Sequence, residues 1–296
     1  MGFRQIYLEG EVKLSLIQNN LKVEKESKKL LLPLDDIDLI FIEDSRSILT
    51  SRIITECCKK NICIVLCDEK FLPQSIIYSL YGSNNQIELF NLQISQLQSK
   101  KDKLWEYLIR SKILNHASVI KLNFNANNEY LTLLDYAKNI KSGDKTFIEG
   151  AEARFYFRKI FGSDFIRHQD DSLNLALNYG YSIINGAIIR TLVACGLDTK
   201  LGIHHDNKKN FYNLASDFIE PYRAFVDNYL VNNMDKITEP LSKELRLDLI
   251  NLLNSDVLIN NQKTSMVNSI KIMIYSYIDY LNSGEIKDIK LVEFCE

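Results

Sequence analysis

Two short segments in the second half of the chain carry residue types that bind a hard divalent cation. The first, residues 202–205, reads Gly-Ile-His-His and supplies imidazole nitrogens. The second, residues 216–223, supplies the carboxylates of Asp217 and Glu220, followed three residues later by Arg223. Spacings of three place these side chains on one face if the segment is helical. Two acids on one face, close in sequence to imidazole, suit a divalent metal.

A third acid, Glu149, stands in a distant part of the chain. It begins a run rich in strong helix formers, in which Glu149, Glu152 and Tyr156 share a predicted helix face. Taken alone, Glu149 is more typical of an ordinary exposed helix acid, and His205 of a surface or packing residue. A metal site that uses both must be assembled by the fold from separate segments.

Five fragments of the second half agree in order and spacing with one known family. The chain resembles the CRISPR-associated integrase that captures foreign DNA and inserts it as new spacers, most closely as found in type two systems. The fragments are Phe147 to Phe157, Arg167, Asn174 to Tyr181, Gly196 to Asp198, and the pair of segments at 202–205 and 216–223.

The resemblance implies a set of metal ligands. One Glu, one His and a later acid bind the metal in that family, and these positions fall on Glu149, His205 and Glu220. Many relatives carry Asp as the last ligand where this chain has Glu220. Asp217 and His204 are expected to stand beside the ligands and support them. Such a carboxylate and imidazole set suits Mg²⁺ or Mn²⁺, with the single nitrogen favouring manganese.

Basic and aromatic residues alternate around Glu149 and further along the chain. Mixtures of this kind grip phosphates and stack bases. Arg167 matches the family's basic residue near the active site, whereas Glu152 is expected to be a solvated charge or a partner of Arg154. The predicted DNA contacts are Arg154, Tyr156, Arg158, Arg167 and Tyr179, although helix packing is an equally good interpretation of Tyr179.

The resemblance also implies an activity and its partners. The expected reaction is metal-dependent joining of protospacer 3′ hydroxyl ends to the CRISPR repeat by transesterification, on double-stranded protospacer and leader-repeat DNA. The expected assembly is a homodimer, two of which are bridged into a heterohexamer by a small CRISPR adaptation protein. Cooperation with the type two effector nuclease is expected as well.

Two other functions are compatible with the residues. A metal-dependent repair nuclease or junction resolvase would use the same ligands without joining DNA. A noncatalytic helical DNA-binding scaffold would use the acids as surface charge and His205 as a packing residue.

Charge and hydropathy bear on where DNA could bind and on whether the protein enters a membrane or is secreted. The net charge is -2, but residues 87–168 carry 13 Lys and Arg against 9 acids, so a phosphate-binding surface is expected to be local. No apolar run approaches a membrane span, and the amino terminus lacks a signal-peptide core. A cytoplasmic protein without membrane contact is the expectation.

The hydrophobic pattern predicts an α+β fold in two parts. Residues 1–82 alternate as strands do, around one helix over 47–60, and predict a mixed sheet domain that serves dimerisation. Residues 83–90 are expected to be a linker, because small polar residues favour a turn. Residues 91–296 show helical spacing and predict the larger, mainly α-helical catalytic domain.

Helix ends and the carboxyl terminus complete the prediction. Asp171 is a plausible N-cap of the helix that Gly196 ends, and Gly162 is expected to close the helix that bears Glu149. A hairpin turn is expected at Asn19-Asn20, and the tail from 286 to 296 is expected to be loosely held.

Overall fold

A computed structural model of the chain describes residues 4–69, 73–79 and 85–295, which divide into two compact units. The first comprises the chain up to Gln86 with residues 193–196, and the second comprises 87–192 and 197 onward. The division falls within the predicted linker, 83–90. Residues 83 and 84 of that segment lie outside the described residues, and a helix begins at Gln86, so its later part is helical.

Strands dominate the first unit, as the alternating pattern predicts. Its elements are β1 (Arg4–Leu8), β2 (Lys13–Ile17), β3 (Asn20–Lys25), β4 (Lys28–Pro33), β5 (Ile37–Ile42), β6 (Ile48–Leu49), α1 (Ser51–Lys59), β7 (Cys63–Cys67) and β8 (Pro73–Ile77). The β2 and β3 strands form a hairpin in which Ile17 pairs with Asn20. The two turn residues are therefore Gln18 and Asn19, both with positive φ, one position earlier than predicted.

These strands form two mixed sheets rather than the single sheet expected. One has the order β1-β5-β7-β8 and the other β4-β3-β2-β6. Leu14 and Leu21 of the second sheet share one buried cluster with Ile40 and Ile42 of the first and with Ile53 of α1. Alternation along a strand indicates which face is buried, but it does not say how strands divide between sheets.

The second unit is mainly helical, and the predicted α+β fold is confirmed. Its elements are α2 (Gln86–Ile94), α3 (Gln98–Asn123), α4 (Asn127–Asn139), α5 (Ile148–Phe161), α6 (Ser172–Cys195), α7 (Asn213–Phe218), α8 (Arg223–Val231), α9 (Lys243–Asn251), β9 (Asp256–Ile259), β10 (Gln262–Ser265), α10 (Met266–Ser283) and β11 (Val292–Glu293). The long α3 helix packs against α4, α5, α7 and α8.

The ends of two functional helices form as predicted. The carboxylate of Asp171 accepts a hydrogen bond from the backbone N–H of Asn174 at 2.7 Å, which satisfies a donor of the first turn of α6. Gly162, with φ of 103°, ends α5 in a conformation that favours glycine.

The small antiparallel sheet β10-β9-β11 was not predicted, and the expectation of a loose tail is wrong. Val292 is fully buried in β11, and the ring of Phe294 stacks on that of Phe225 with centroids 4.1 Å apart. Short strands of four and two residues carry too little periodicity to be recognised in sequence. None of the helices that the structure describes is both long and apolar enough to cross a membrane.

Candidate active site

Glu149 lies in the first turn of α5, at a position fixed by a buried aspartate. The carboxylate of Asp144 accepts hydrogen bonds from the backbone N–H groups of Ile148 and Glu149, at 2.9 and 3.0 Å. These bonds satisfy donors that a helix start would otherwise leave unpaired. The Glu149 side chain keeps 29% of its surface exposed, so it faces the site while remaining open to solvent.

His205 is held by Asp217 of α7. The Nδ1 atom of His205 lies 2.7 Å from Oδ1 of Asp217, and the same buried carboxylate accepts the backbone N–H groups of Ile203 and His205. This hydrogen bond raises the pKa of His205; burial opposes the change, and the charges of Glu220 and Glu149 add to it. With Nδ1 engaged, Nε2 is the ring nitrogen left for another ligand.

Glu220 begins the short 3₁₀ turn that leads into α8. Its Oε1 atom accepts a hydrogen bond from Nε of Arg223 at 3.0 Å, so the predicted spacing of three brings these two side chains together. Burial alone would raise the pKa of Glu220, but Arg223 and Lys112 together lower it to about 2. The carboxylate is therefore ionised at neutral pH.

Glu149 and Glu220 meet at the amino group of Lys112. The Nζ atom of Lys112 lies 2.8 Å from Oε1 of Glu149 and 2.7 Å from Oε2 of Glu220. The part of the chain that the structure describes has no set of three His, Cys, Asp or Glu side chains close enough to hold a metal ion. The side chain that stands between the two carboxylates is the ammonium group of Lys112.

Lys112 was not predicted, because it lies in α3, outside every recognised motif. A signal was present: it continues the helical spacing of an apolar face that includes Leu108, Ile109 and His116, all buried. A lysine on such a face is almost never fully buried unless it has an anionic partner. The position of Lys112 on this face favours a paired lysine, but the spacing does not identify its partners.

The ring of His204 stacks on the buried Trp105. Its ring lies 4.3 Å from that of Trp105 with an interplanar angle of 3°, while the His205 ring meets Trp105 edge-on at 5.6 Å. His204 thus packs beside His205. Its predicted supporting role stays a prediction.

Arg167 lines a cavity of about 260 Å³ next to Arg223. Its guanidinium donates to the side-chain oxygens of Asn174 and Asn178, at 2.8 and 2.7 Å. Both arginines lie over the ring of Tyr181, at 5.4 Å for Arg167 and 4.7 Å for Arg223. Burial lowers the pKa of Arg167. Two guanidinium groups therefore line one cavity, and one of them, that of Arg223, also contacts Glu220.

The remaining predicted DNA contacts separate into two groups. Arg154 and Arg158 are exposed on α5 and stay candidates. Tyr156 and Tyr179 are buried to 0% and 1% exposure, and the hydroxyl of Tyr156 donates to Asp227. A ring enclosed in the core cannot stack on a base, so the expectation that these two tyrosines contact DNA is corrected.

Glu152 is also placed differently from the expectation. It is fully buried rather than solvated, and its Oε1 atom lies 2.7 Å from Nδ1 of His116. His116 stacks in turn on Tyr156. The helix pattern identified the face that Glu152 and Tyr156 share with Glu149, but not which of the three positions would be enclosed by α3.

The family profile described as CRISPR associated protein Cas1 matches residues 6–239. The chain belongs to this family. It is 31% identical to the CRISPR-associated endonuclease Cas1 of Neisseria meningitidis serogroup C, over 99% of this chain and 97% of that protein. The predicted family is confirmed, and that relative is consistent with the predicted likeness to type two systems.

Solved structures agree with the fold of a Cas1 protein. A casposase bound to integration product matches with a TM-score of 0.78 and 21% identity, covering 96% of this chain and 92% of its own. A chain of a Cas6-RT-Cas1--Cas2 complex matches with a TM-score of 0.76 and 17% identity, covering 99% of this chain and 36% of its own. At these identities the two matches show a shared fold.

Proposed function

We propose that this Cas1 protein is a metal-dependent DNA integrase of CRISPR adaptation. The observation that carries the proposal is the meeting of Glu149 and Glu220 at one cationic centre, beside an imidazole whose Nδ1 is already held by Asp217. A carboxylate pair with one available ring nitrogen suits Mg²⁺ or Mn²⁺ better than Zn²⁺, which prefers more nitrogen or sulfur.

The proposed ligands are Glu149, His205 and Glu220. A metal ion held by them would polarise a phosphoryl oxygen and stabilise the charge that develops during phosphoryl transfer. Arg223 keeps Glu220 ionised, and Asp217 fixes the ring orientation of His205, as carboxylates commonly do for metal-binding histidines. Arg167 and Arg223 are suited to hold a phosphate in their shared cavity.

The proposed reaction is a transesterification on the phosphodiester backbone. The 3′ hydroxyl oxygen of a captured fragment attacks a phosphorus atom of the repeat and forms a new P–O bond. The attacking hydroxyl gives up its proton, the P–O bond to the displaced 3′ oxygen breaks, and that oxygen takes up a proton to become a 3′ hydroxyl. The number of phosphodiester bonds is unchanged, so the reaction needs positioning and charge stabilisation but no external energy source.

The proposed substrates and partners follow the family. Double-stranded protospacer and leader-repeat DNA are the substrates, and the similar casposase was solved with its integration product. A small adaptation protein would bridge two homodimers, in keeping with the Cas1--Cas2 complex named above. Dimerisation through residues 1–82, cooperation with the type two effector nuclease and a cytoplasmic location remain part of this proposal.

A strand-joining assay tests the proposal. A labelled fragment with 3′ hydroxyl ends is incubated with leader-repeat DNA, the purified protein and its small partner, with EDTA, Mg²⁺ or Mn²⁺. We expect joined product with either metal, at least as much in Mn²⁺ as in Mg²⁺, and none in EDTA. Cleavage without joining would indicate a repair nuclease or resolvase, and DNA binding without either reaction would indicate a scaffold.

A further inference from the structure

Lys112 bridges the carboxylates of Glu149 and Glu220. Its side chain is 7% exposed and the Glu220 side chain 4% exposed, so their contact is largely shielded from water. Burying a charge is costly unless it is paired, and here each carboxylate has a cationic partner. Glu149 pairs with Lys112, while Glu220 pairs with both Lys112 and Arg223.

The charges of this group balance. Two carboxylates face one ammonium and one guanidinium, so the group carries no net charge. The two carboxylates that contact its Nζ atom favour the charged form of the Lys112 amino group. A divalent cation brought to the same carboxylates therefore enters a site that is already neutralised.

The ammonium already contacts one oxygen of each carboxylate that would hold the metal. The Nζ atom contacts Oε1 of Glu149 and Oε2 of Glu220, one oxygen from each proposed ligand. A metal ion and an ammonium group that shared both oxygens at contact distance would repel each other. Binding of a metal to this pair must therefore move the ammonium away.

We infer that Lys112 is an internal counter-cation that competes with the divalent metal for Glu149 and Glu220, and that it thereby sets the metal affinity of the site. This inference rests on the proposed metal ligands. It assigns Lys112 two effects: it keeps the carboxylates together in the metal-free protein, and it weakens metal binding by the free energy needed to displace it.

Calorimetry with Mn²⁺ and the variant Lys112→Met tests the inference. Methionine keeps the length of an unbranched side chain but removes the competing charge. We expect Mn²⁺ to bind on the order of tenfold more tightly to Lys112→Met than to the parent, a typical size for coupling between two sites. The metal-free variant should unfold at a lower temperature, and Mn²⁺ should stabilise it more than it stabilises the parent.

Two matched variants distinguish the effect of removing the charge from the effect of altering the α3 helix. Lys112→Arg keeps the cation and should bind Mn²⁺ no more tightly than the parent. Lys103→Met makes the same replacement at an exposed position of α3 and should leave Mn²⁺ affinity unchanged. Equal or weaker Mn²⁺ binding by Lys112→Met would overturn the inference.

A second measurement uses the parent protein and so does not depend on whether the variant folds. Reductive methylation followed by peptide mass spectrometry reports how accessible each lysine amino group is. Labelling of Lys112 should increase from EDTA to saturating Mn²⁺, while labelling of Lys103 stays constant. Unchanged or reduced labelling of Lys112 would show that the metal does not displace it.

Failure of this inference and failure of the proposed function give different results. If the parent protein joins strands in Mn²⁺ but Lys112→Met binds the metal no more tightly, the integrase proposal stands and the role of Lys112 is wrong. If neither protein binds Mn²⁺, both the ligand set and the inference are wrong.

Discussion

The orientation of the His205 ring depends on the carboxylate of Asp217, which is fully buried. Asp217 uses one oxygen for the ring and backbone N–H of His205 and the other for the backbone N–H of Ile203. All of these partners are donors, so the site needs two acceptor oxygens. An amide at this position would place an NH₂ group against one of the donors.

We therefore expect Asp217→Asn to weaken Mn²⁺ binding and strand joining by roughly 10- to 100-fold, the usual effect of losing a carboxylate that supports a metal-binding histidine. Calorimetry and the joining assay measure the two quantities. Asp206→Asn makes the same change at an exposed residue adjacent to His205 and should alter neither. Equal behaviour of the two variants would contradict the assigned contact.

Arg167 can act in two ways: it can stabilise the fold through its hydrogen bonds, and it can bind a phosphate through its charge. It bonds to Asn174 and Asn178, yet it lines the cavity shared with Arg223. If it binds a phosphate, Arg167→Ala should weaken DNA binding and make the dependence of log affinity on log salt shallower by about one unit. Arg167→Lys keeps the charge and should retain most of that slope.

Filter binding over a series of salt concentrations measures the slope, and urea unfolding measures stability in parallel. A loss of stability by Arg167→Ala with an unchanged salt slope would assign Arg167 to the fold alone.

Among the elements, the loop that carries His205 requires a residue without a side chain at Gly202, because the backbone of His205 passes close to it. A Cβ atom at Gly202 would overlap the carbonyl oxygen of His205 and press on the Asp217 carboxylate. Gly150, in the first turn of α5, has nothing within 4 Å of the same added atom. The two glycines therefore differ in the space available for a side chain.

Alanine at Gly202 and alanine at Gly150 should therefore change the free energy of unfolding in opposite directions. Gly202→Ala should lower the free energy of unfolding by about 1–3 kcal/mol, the usual cost of overpacking, and should lower Mn²⁺ affinity. Gly150→Ala should raise stability by about 0.5–1 kcal/mol, because alanine is the better helix former. Urea unfolding distinguishes them, and a stable Gly202→Ala with normal Mn²⁺ binding would refute the packing argument.

The sequence predicted where helices begin and end better than it predicted which of their side chains are buried. Asp171 and Gly162 were recognisable because caps act within a few residues of the chain. The burial of Tyr156, Tyr179 and Glu152 depends on which neighbour covers each helix face, and periodicity does not contain that information. Glu149, His205 and Glu220 came from a family resemblance, whereas Lys112 belongs to a helix outside it, so its contact emerged from the fold.

At the scale of the whole molecule, the last strand closes the second unit. Val292 is fully buried in β11, whereas its neighbour Glu293 is exposed, as expected for successive residues of a strand. The backbone carbonyl of Val292 also accepts from the side chain of Asn115 in α3 at 3.0 Å. This contact joins the end of the chain to the helix that carries Lys112.

Val292→Thr should therefore lower the free energy of unfolding by about 1–3 kcal/mol, because it buries a hydroxyl in an apolar site. Glu293→Gln should change it by less than about 0.5 kcal/mol, as is usual at the surface. Urea unfolding of both variants checks the difference. Equal stabilities would restore the expectation of a loosely held tail.

Glu149, His205 and Glu220, drawn from separate segments, are proposed to form one metal-dependent integration site. Strand joining by Glu149→Ala, His205→Ala and Glu220→Ala tests it most directly, with circular dichroism and DNA binding measured on the same preparations. We predict that each variant folds, binds DNA and fails to join strands, while Asp206→Ala joins normally. Near-parental joining by any two of the three variants would show that these side chains are not the three ligands of the site.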